Sequence, residues 1–215
     1  DVHGEWARRL ALAYPRSIGG RKFLSDRDVM KRWRSTVKSN WVLASFFGAQ
    51  LRSIAERLEI PEVELKAERR EFERQFAGVF AWHERLDKFY KEHGYVQTLN
   101  GLRRRAPLSY NTVINSPVQM MEGEVVMDGM NRLSEKADAT DDPYLQPDIQ
   151  IHDDFTFFLP DERIEHYGER IITEMLRVPW EWAKTVPWVV DMSVGPDLYN
   201  MESVLVAESD KWKRK

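Results

Sequence analysis

The stretch "DIQIHDDFTFFLP" occupies residues 148–160. Two short runs rich in β-branched and aromatic residues flank a pair of adjacent acids, which is the pattern of a hairpin. Alternate side chains of a strand share a face, so Gln150 and His152 are expected on one side, and Ile149, Ile151 and Asp153 on the other, until the turn breaks the alternation. Asp153 and Asp154 repel each other when both are ionised. The pair is stable against water, a cation or basic groups, and adjacent carboxylates are good oxygen ligands for Mg²⁺. Asp is equally a common turn residue. From these residues alone, a metal-holding tip and a solvated turn both stand.

Outward from the hairpin the chain has two styles. Up to about residue 93 the pattern is helical: "EWARRLALAY", "SDRDVMKRWRSTVKSNWVLASFF", "AQLRSIAERL" and a long charged stretch from Pro61, interrupted at Gly19-Gly20, Gly48 and Pro61. After Gly94 come short β-like runs, "YVQTL", "DIQIHDD", "FTFFL" and "WVVDMSV", with helical windows at about 111–135 and 161–177. "SEKADATDDP" (134–143) reads as a mobile polar loop. The expected fold class is α+β, with a helical region over 1–93 and a mixed region over 94–215. The hairpin is expected to pack on the helices that start near 111 and 161.

Composition bounds the function. The 215 residues are 42% hydrophobic and 12% aromatic, enough for a real core. Thirty-two Lys and Arg against 35 Asp and Glu give a net charge of −3, so any surface for a polyanion has to be a local patch. With no cysteine there are no disulfides or thiolate metal sites, which fits a reducing cytoplasm. No apolar run approaches the roughly 20 residues of a membrane span, and the amino terminus lacks a signal-peptide layout. A soluble, cytoplasmic protein is expected.

Several motifs carry a resemblance. "QIHDD" (150–154) resembles the Q-V/I-H-D-E that ends the palm of family A DNA polymerases. "GYVQTLNGLRRR" (94–105) is similar to that family's G-Y-V-x-T-x-x-G-R-R, "INSPVQ" (114–119) to its I-N-x-P-x-Q, and "RSTVKSNWVLASFFG" (34–48) to the fingers helix R-x-x-x-K-x(7)-Y-G. "DVH" (1–3) resembles a D-I-H between the first palm motif and the fingers, and "VPWVVDMSVGPDLYN" the closing strand. Six matches in the family's order cover nearly the whole chain.

The resemblance implies an α+β fold of helical fingers (1–93) and part of a palm with a small antiparallel sheet (94–215). It implies template-directed nucleotidyl transfer by a DNA-directed DNA polymerase with two Mg²⁺ ions, for which Mn²⁺ can substitute. Asp153 and Asp154 are then the metal-side acids and His152 lies near the primer terminus. Lys38 and Arg34 grip the triphosphate of a deoxynucleoside triphosphate, with His3 as a further phosphate contact. Asn115, Gln119, Gln150 and His152 face the minor groove of primer-template DNA, where amides can monitor pair shape without reading sequence. Arg103, Arg104 and Arg105 meet phosphates. Phe46 or Phe47 is the stacking aromatic; Lys38, Val42 and Phe46 sharing a face favours Phe46.

The chain also departs from the pattern. It has one residue more between Lys38 and Gly48, Asp154 for Glu, Asn111 where Arg is usual, and an extra residue in "GLRRR". The first palm motif, D-x-S-x-x-E, occurs nowhere in the 215 residues. The expectation is therefore a split enzyme, phage-type, completed by a second polypeptide carrying that motif and a thumb. The alternative is a catalytically inactive nucleic-acid-binding module of the same fold. The basic tail "KWKRK" reads as a solvating terminus.

Overall fold

The computed structural model describes residues 1–208 and the backbone of 211–214; the side chains of the basic tail lie outside the described residues. The chain forms two compact units, one of residues 1–97 with 101–117, the other of 98–100 with 118–215.

The first unit is built on helices. α1 (Val2–Ala13) starts where the Asp1 carboxylate accepts the His3 N–H, and it buries Trp6, Ala7, Leu10 and Ala11 at helical spacing. α2 (Arg27–Val37) is capped by Asp26, whose Oδ1 takes the N–H groups of Asp28 and Val29 at 3.0 Å each. A π-helical turn, Lys38–Leu43, and a short α3, Ala44–Phe46, continue it. α4 (Leu51–Leu58), α5 (Glu62–Gln75) and α6 (Ala77–His93) follow, the last two separated at Phe76.

Aromatic packing holds this unit together. Trp6 lies 5.5 Å from Trp41 and 5.1 Å from Phe72, and Phe46 lies 5.1 Å from Phe72 and 5.0 Å from Phe76, ring centre to ring centre. Rings at these separations, tilted or edge-on, add to the apolar burial. Two of the indoles reach partners: Trp6 Nε1 donates to Gln75 Oε1 at 2.9 Å and Trp33 Nε1 to the Ala7 carbonyl at 2.9 Å.

"GYVQTLNGLRRR" is a hairpin of β1 (Tyr95–Gln97) and β2 (Arg103–Arg105), with Val96 opposite Arg104. The arginine run is thus a strand, which its composition alone does not announce. Val96 is buried with Val113 and Ile114 of the next helix, α7 (Tyr110–Thr140).

In the second unit α7 runs on to Thr140, so residues 134–140 are helix and not the expected mobile loop. Leu133 and Ala137, four apart, are buried with Leu145 and Tyr167, and Lys136 Nζ meets the buried Glu174 carboxylate at 2.5 Å. Glu174 sits on α8 (Ile164–Leu176), and its carbonyl also accepts Arg132 Nη2 at 2.6 Å. The polar letters of the segment have partners distant in sequence.

β3 (Ile149–Ile151) and β4 (Asp154–Thr156) form the expected hairpin, with Ile151 opposite Asp154. Phe157 and Leu159, just beyond it, pack on the Leu133–Tyr167 core between α7 and α8. β5 (Val189–Val194) pairs with β6 (Glu202–Glu208), with a bulge at Met192/Ser193, and β6 pairs with β7 (Lys211–Arg214). The backbone of Lys211–Arg214 is therefore a strand, while the side chains on which the expected solvating role rests lie outside the described residues. Three small antiparallel sheets and eight α-helices among the described residues make the fold α+β. Among those residues no helix is long and apolar enough to cross a membrane.

Candidate nucleotide and nucleic-acid site

The extra residue between Lys38 and Gly48 is accounted for by the π turn. A π turn closes i to i+5 and so takes in one residue more than an α turn. A side chain nine positions beyond Lys38 then points where a plain α-helix would point one eight positions beyond. This side of the helix reads Arg34, Lys38, the partly buried Leu43 and Phe47, in steps of four, five and four. The opposite side is locked: Val37, Trp41 and Val42 are fully buried.

The expectation that Phe46 shares the Lys38 face is thereby corrected. Its ring is wedged between Phe72 and Phe76 of the core, and Val42, the intermediate step of that face, is 0% exposed. Phe47 is 38% exposed and stands on the Lys38 side.

His3, on the first turn of α1, belongs to the same cluster. Burial, then the charges of Lys38 and Arg34, hold its imidazole below its ordinary value of 6.5. Its buried Nδ1 has no hydrogen-bond partner. Arg34 is held by Asp1, whose Oδ2 accepts Nε at 3.0 Å and Nη2 at 2.6 Å.

Gly48 ends the helix at φ +77°, a conformation that favours glycine. A Cβ there would lie 2.5 Å from Ile114 Cδ1 and 3.2 Å from Asn111 Oδ1, so α7 can approach only a glycine. Asn115 fastens the same junction: its Nδ2 donates to the Phe47 carbonyl at 3.4 Å, while its buried Oδ1 has no partner. Gln119, one turn on, is exposed.

The three arginines are exposed and split between the two faces of β2. Arg103 lies over the Tyr95 ring at 4.5 Å and donates to Gln97 Oε1 at 3.3 Å; Arg104 donates to Ser116 Oγ at 3.2 Å.

At the other hairpin the strands stop one residue earlier than expected. His152 has φ +55° and forms a two-residue turn with Asp153, so the alternation that put Asp153 with Ile149 and Ile151 ends before it. His152, Asp153 and Asp154 are all exposed, and Gln150 Nε2 braces the turn by donating to the His152 carbonyl at 3.0 Å. The hard oxygen donors suit Mg²⁺ in kind but not in number. Among the described residues no group of three or more His, Cys, Asp or Glu is placed to hold a metal ion, so these residues by themselves do not make a two-ion site.

The structure thus brings His3, Arg34, Lys38, Phe47 and Asn115 together in the first unit, and Gln150, His152, Asp153 and Asp154 in the second. Asp1 and Ser116 are partners of the site's cations that the sequence motifs do not assign. Asp1 had a signal, an acid immediately before a helical run; Ser116 had none.

A mixed fold with a fingers-like helix that carries cations on one face in its first unit, and an acid-tipped hairpin in its second, defines a class of polymerase-like proteins. The model of DNA polymerase family A matches residues 22–200, and the chain belongs to that family. It is 26% identical over 162 residues to the thermostable DNA polymerase I of Thermus aquaticus, a match covering 70% of this chain and 19% of that protein. The POL domain of Pol1 from M. smegmatis, in complex with a DNA primer-template and a dNTP, has a similar fold. The TM-score is 0.61 at 17% identity, over 81% of this chain and 30% of that one. The chain spans about a fifth of the Thermus protein's length.

Proposed function

We propose that this chain is the fingers and part of the palm of a DNA-directed DNA polymerase, with residues 1–93 as fingers and 94–215 contributing to the palm. The observation that carries the reading is the helix with Arg34, Lys38 and Phe47 on its exposed side and its other side locked in aromatic packing. Two cations one turn apart suit a triphosphate and offset the charge that develops on the departing pyrophosphate. His3 adds a donor, and Phe47 offers an exposed ring for a base.

Asn115 and Gln119 suit the minor groove of a primer-template, with Gln150 and His152 near the primer end and Arg103, Arg104 and Arg105 on phosphates. Asp153 is the metal ligand of the hairpin, and Asp154 the secondary acid. Divalent ions, when bound, supply the positive charge that stabilises an attacking and a leaving oxygen. The further carboxylate of a D-x-S-x-x-E motif comes from outside these 215 residues.

Titrating the 215-residue chain with Mg²⁺–dATP and, separately, with a primer-template duplex tests the reading. Both are expected to bind, with Lys38→Ala weakening the nucleotide and leaving the duplex unchanged. Binding of neither ligand overturns it.

A further inference from the structure

We infer that Asp1 is a positioning residue for nucleotide binding, one that sets which edge of the Arg34 guanidinium meets the phosphates. The inference rests on the nucleotide-binding reading of Arg34 given above. A guanidinium has a side-on edge, Nε with one Nη2 hydrogen, and an end-on edge, Nη1 with the other. Asp1 Oδ2 occupies the side-on edge, at 3.0 Å from Nε and 2.6 Å from Nη2. The end-on edge remains directed away from Asp1, and two parallel N–H groups are the geometry that takes two phosphate oxygens.

Asp1 is itself fixed. Its other oxygen, Oδ1, accepts the His3 N–H at 3.1 Å, which ties the carboxylate to the first turn of α1 and to the backbone of the residue that completes the cation cluster. The residue facing the pair is Gly4. A Cβ there would lie 3.3 Å from Asp1 Oδ2 and 3.9 Å from Arg34 Nε, so a glycine, which weakens a helix, leaves the space in which the pair sits.

Both side chains are about half exposed, 45% for Arg34 and 52% for Asp1, and exposed pairs of this kind add little to folding stability. What the pair does is restrict a long, rotamer-rich side chain before the ligand arrives. Ordering one such side chain during binding weakens affinity by roughly 2- to 10-fold.

The test is isothermal titration of the 215-residue chain with Mg²⁺–dATP and with inorganic tripolyphosphate, which lacks sugar and base. Asp1→Asn keeps an oxygen to cap α1 and removes the charge. It is expected to weaken both ligands by the same roughly 2- to 10-fold. The loss should vanish in an Arg34→Ala background and persist in a Lys38→Ala background. A structural pin between α1 and α2 would instead lower the unfolding temperature of Asp1→Asn and leave both affinities unchanged. Unchanged or tighter binding, or a loss that persists without Arg34, overturns the inference. If Arg34→Ala and Lys38→Ala both bind like the unaltered chain, the nucleotide reading fails and takes this inference with it.

Discussion

The fingers helix and the acid-tipped hairpin present their charges differently. On the helix, Arg34 and Lys38 stand on a rigid support, because Val37, Trp41 and Val42 on the far side are fully buried and Arg34 is already oriented by Asp1. On the hairpin, Asp153 and Asp154 occupy a turn braced by one hydrogen bond, from Gln150, and both are exposed. On the proposed reading, the cationic half of a polymerase site is prearranged within this chain and the acidic half is not. Cations can wait in water for a triphosphate, whereas two neighbouring carboxylates need countercharge and further ligands before they can hold divalent ions.

That contrast can be broken experimentally. In a complete polymerase assembled on this chain, Asp153→Asn is expected to abolish extension while duplex affinity stays within about twofold, because it removes charge from the acidic half and no groove contact. Lys38→Ala is expected to slow incorporation by about 10²-fold, the scale of losing one preorganised charge at the transition state. Equal, mild losses for the two variants would contradict these roles.

A sharper comparison lies within the fingers helix. Phe46→Ala is expected to cost roughly 3 kcal/mol in urea unfolding through the cavity it leaves against Phe72 and Phe76. Phe47→Ala should change stability by less than about 1 kcal/mol, and weaken nucleotide affinity about tenfold by loss of stacking. The reverse pattern would restore Phe46 to the nucleotide face.

The smallest effect concerns His3. Its pKa in the free chain lies below 6.5, held there by burial and by Lys38 and Arg34. A bound triphosphate favours the protonated ring and so raises that pKa. Affinity should therefore be highest below the free value and fall, by several-fold, as pH rises through the bound one. His3→Ala should remove this dependence beyond what the triphosphate's own titration contributes.

How far the sequence could be read follows from the range of the interactions. The β3–β4 hairpin was legible because alternation and a turn are local. So was the cationic face, because Arg34 and Lys38 are one helical turn apart. The π turn was not: it arises where one extra residue must be taken in while Trp41 and Phe46 both stay against Phe72, a residue more than 20 positions away. The helical course of 134–140 was hidden for the same reason, its polar residues having partners such as Glu174 far along the chain. β2 was hidden because three consecutive arginines carry no alternation; its register is set by β1 across the turn.

The most direct measurement is primer extension with Mg²⁺ by the purified 215-residue chain, repeated after adding a polypeptide that carries a D-x-S-x-x-E motif. A prearranged cationic half with an incomplete acidic half predicts no synthesis by the chain alone and template-directed synthesis after the addition. Robust extension by the chain alone would contradict it.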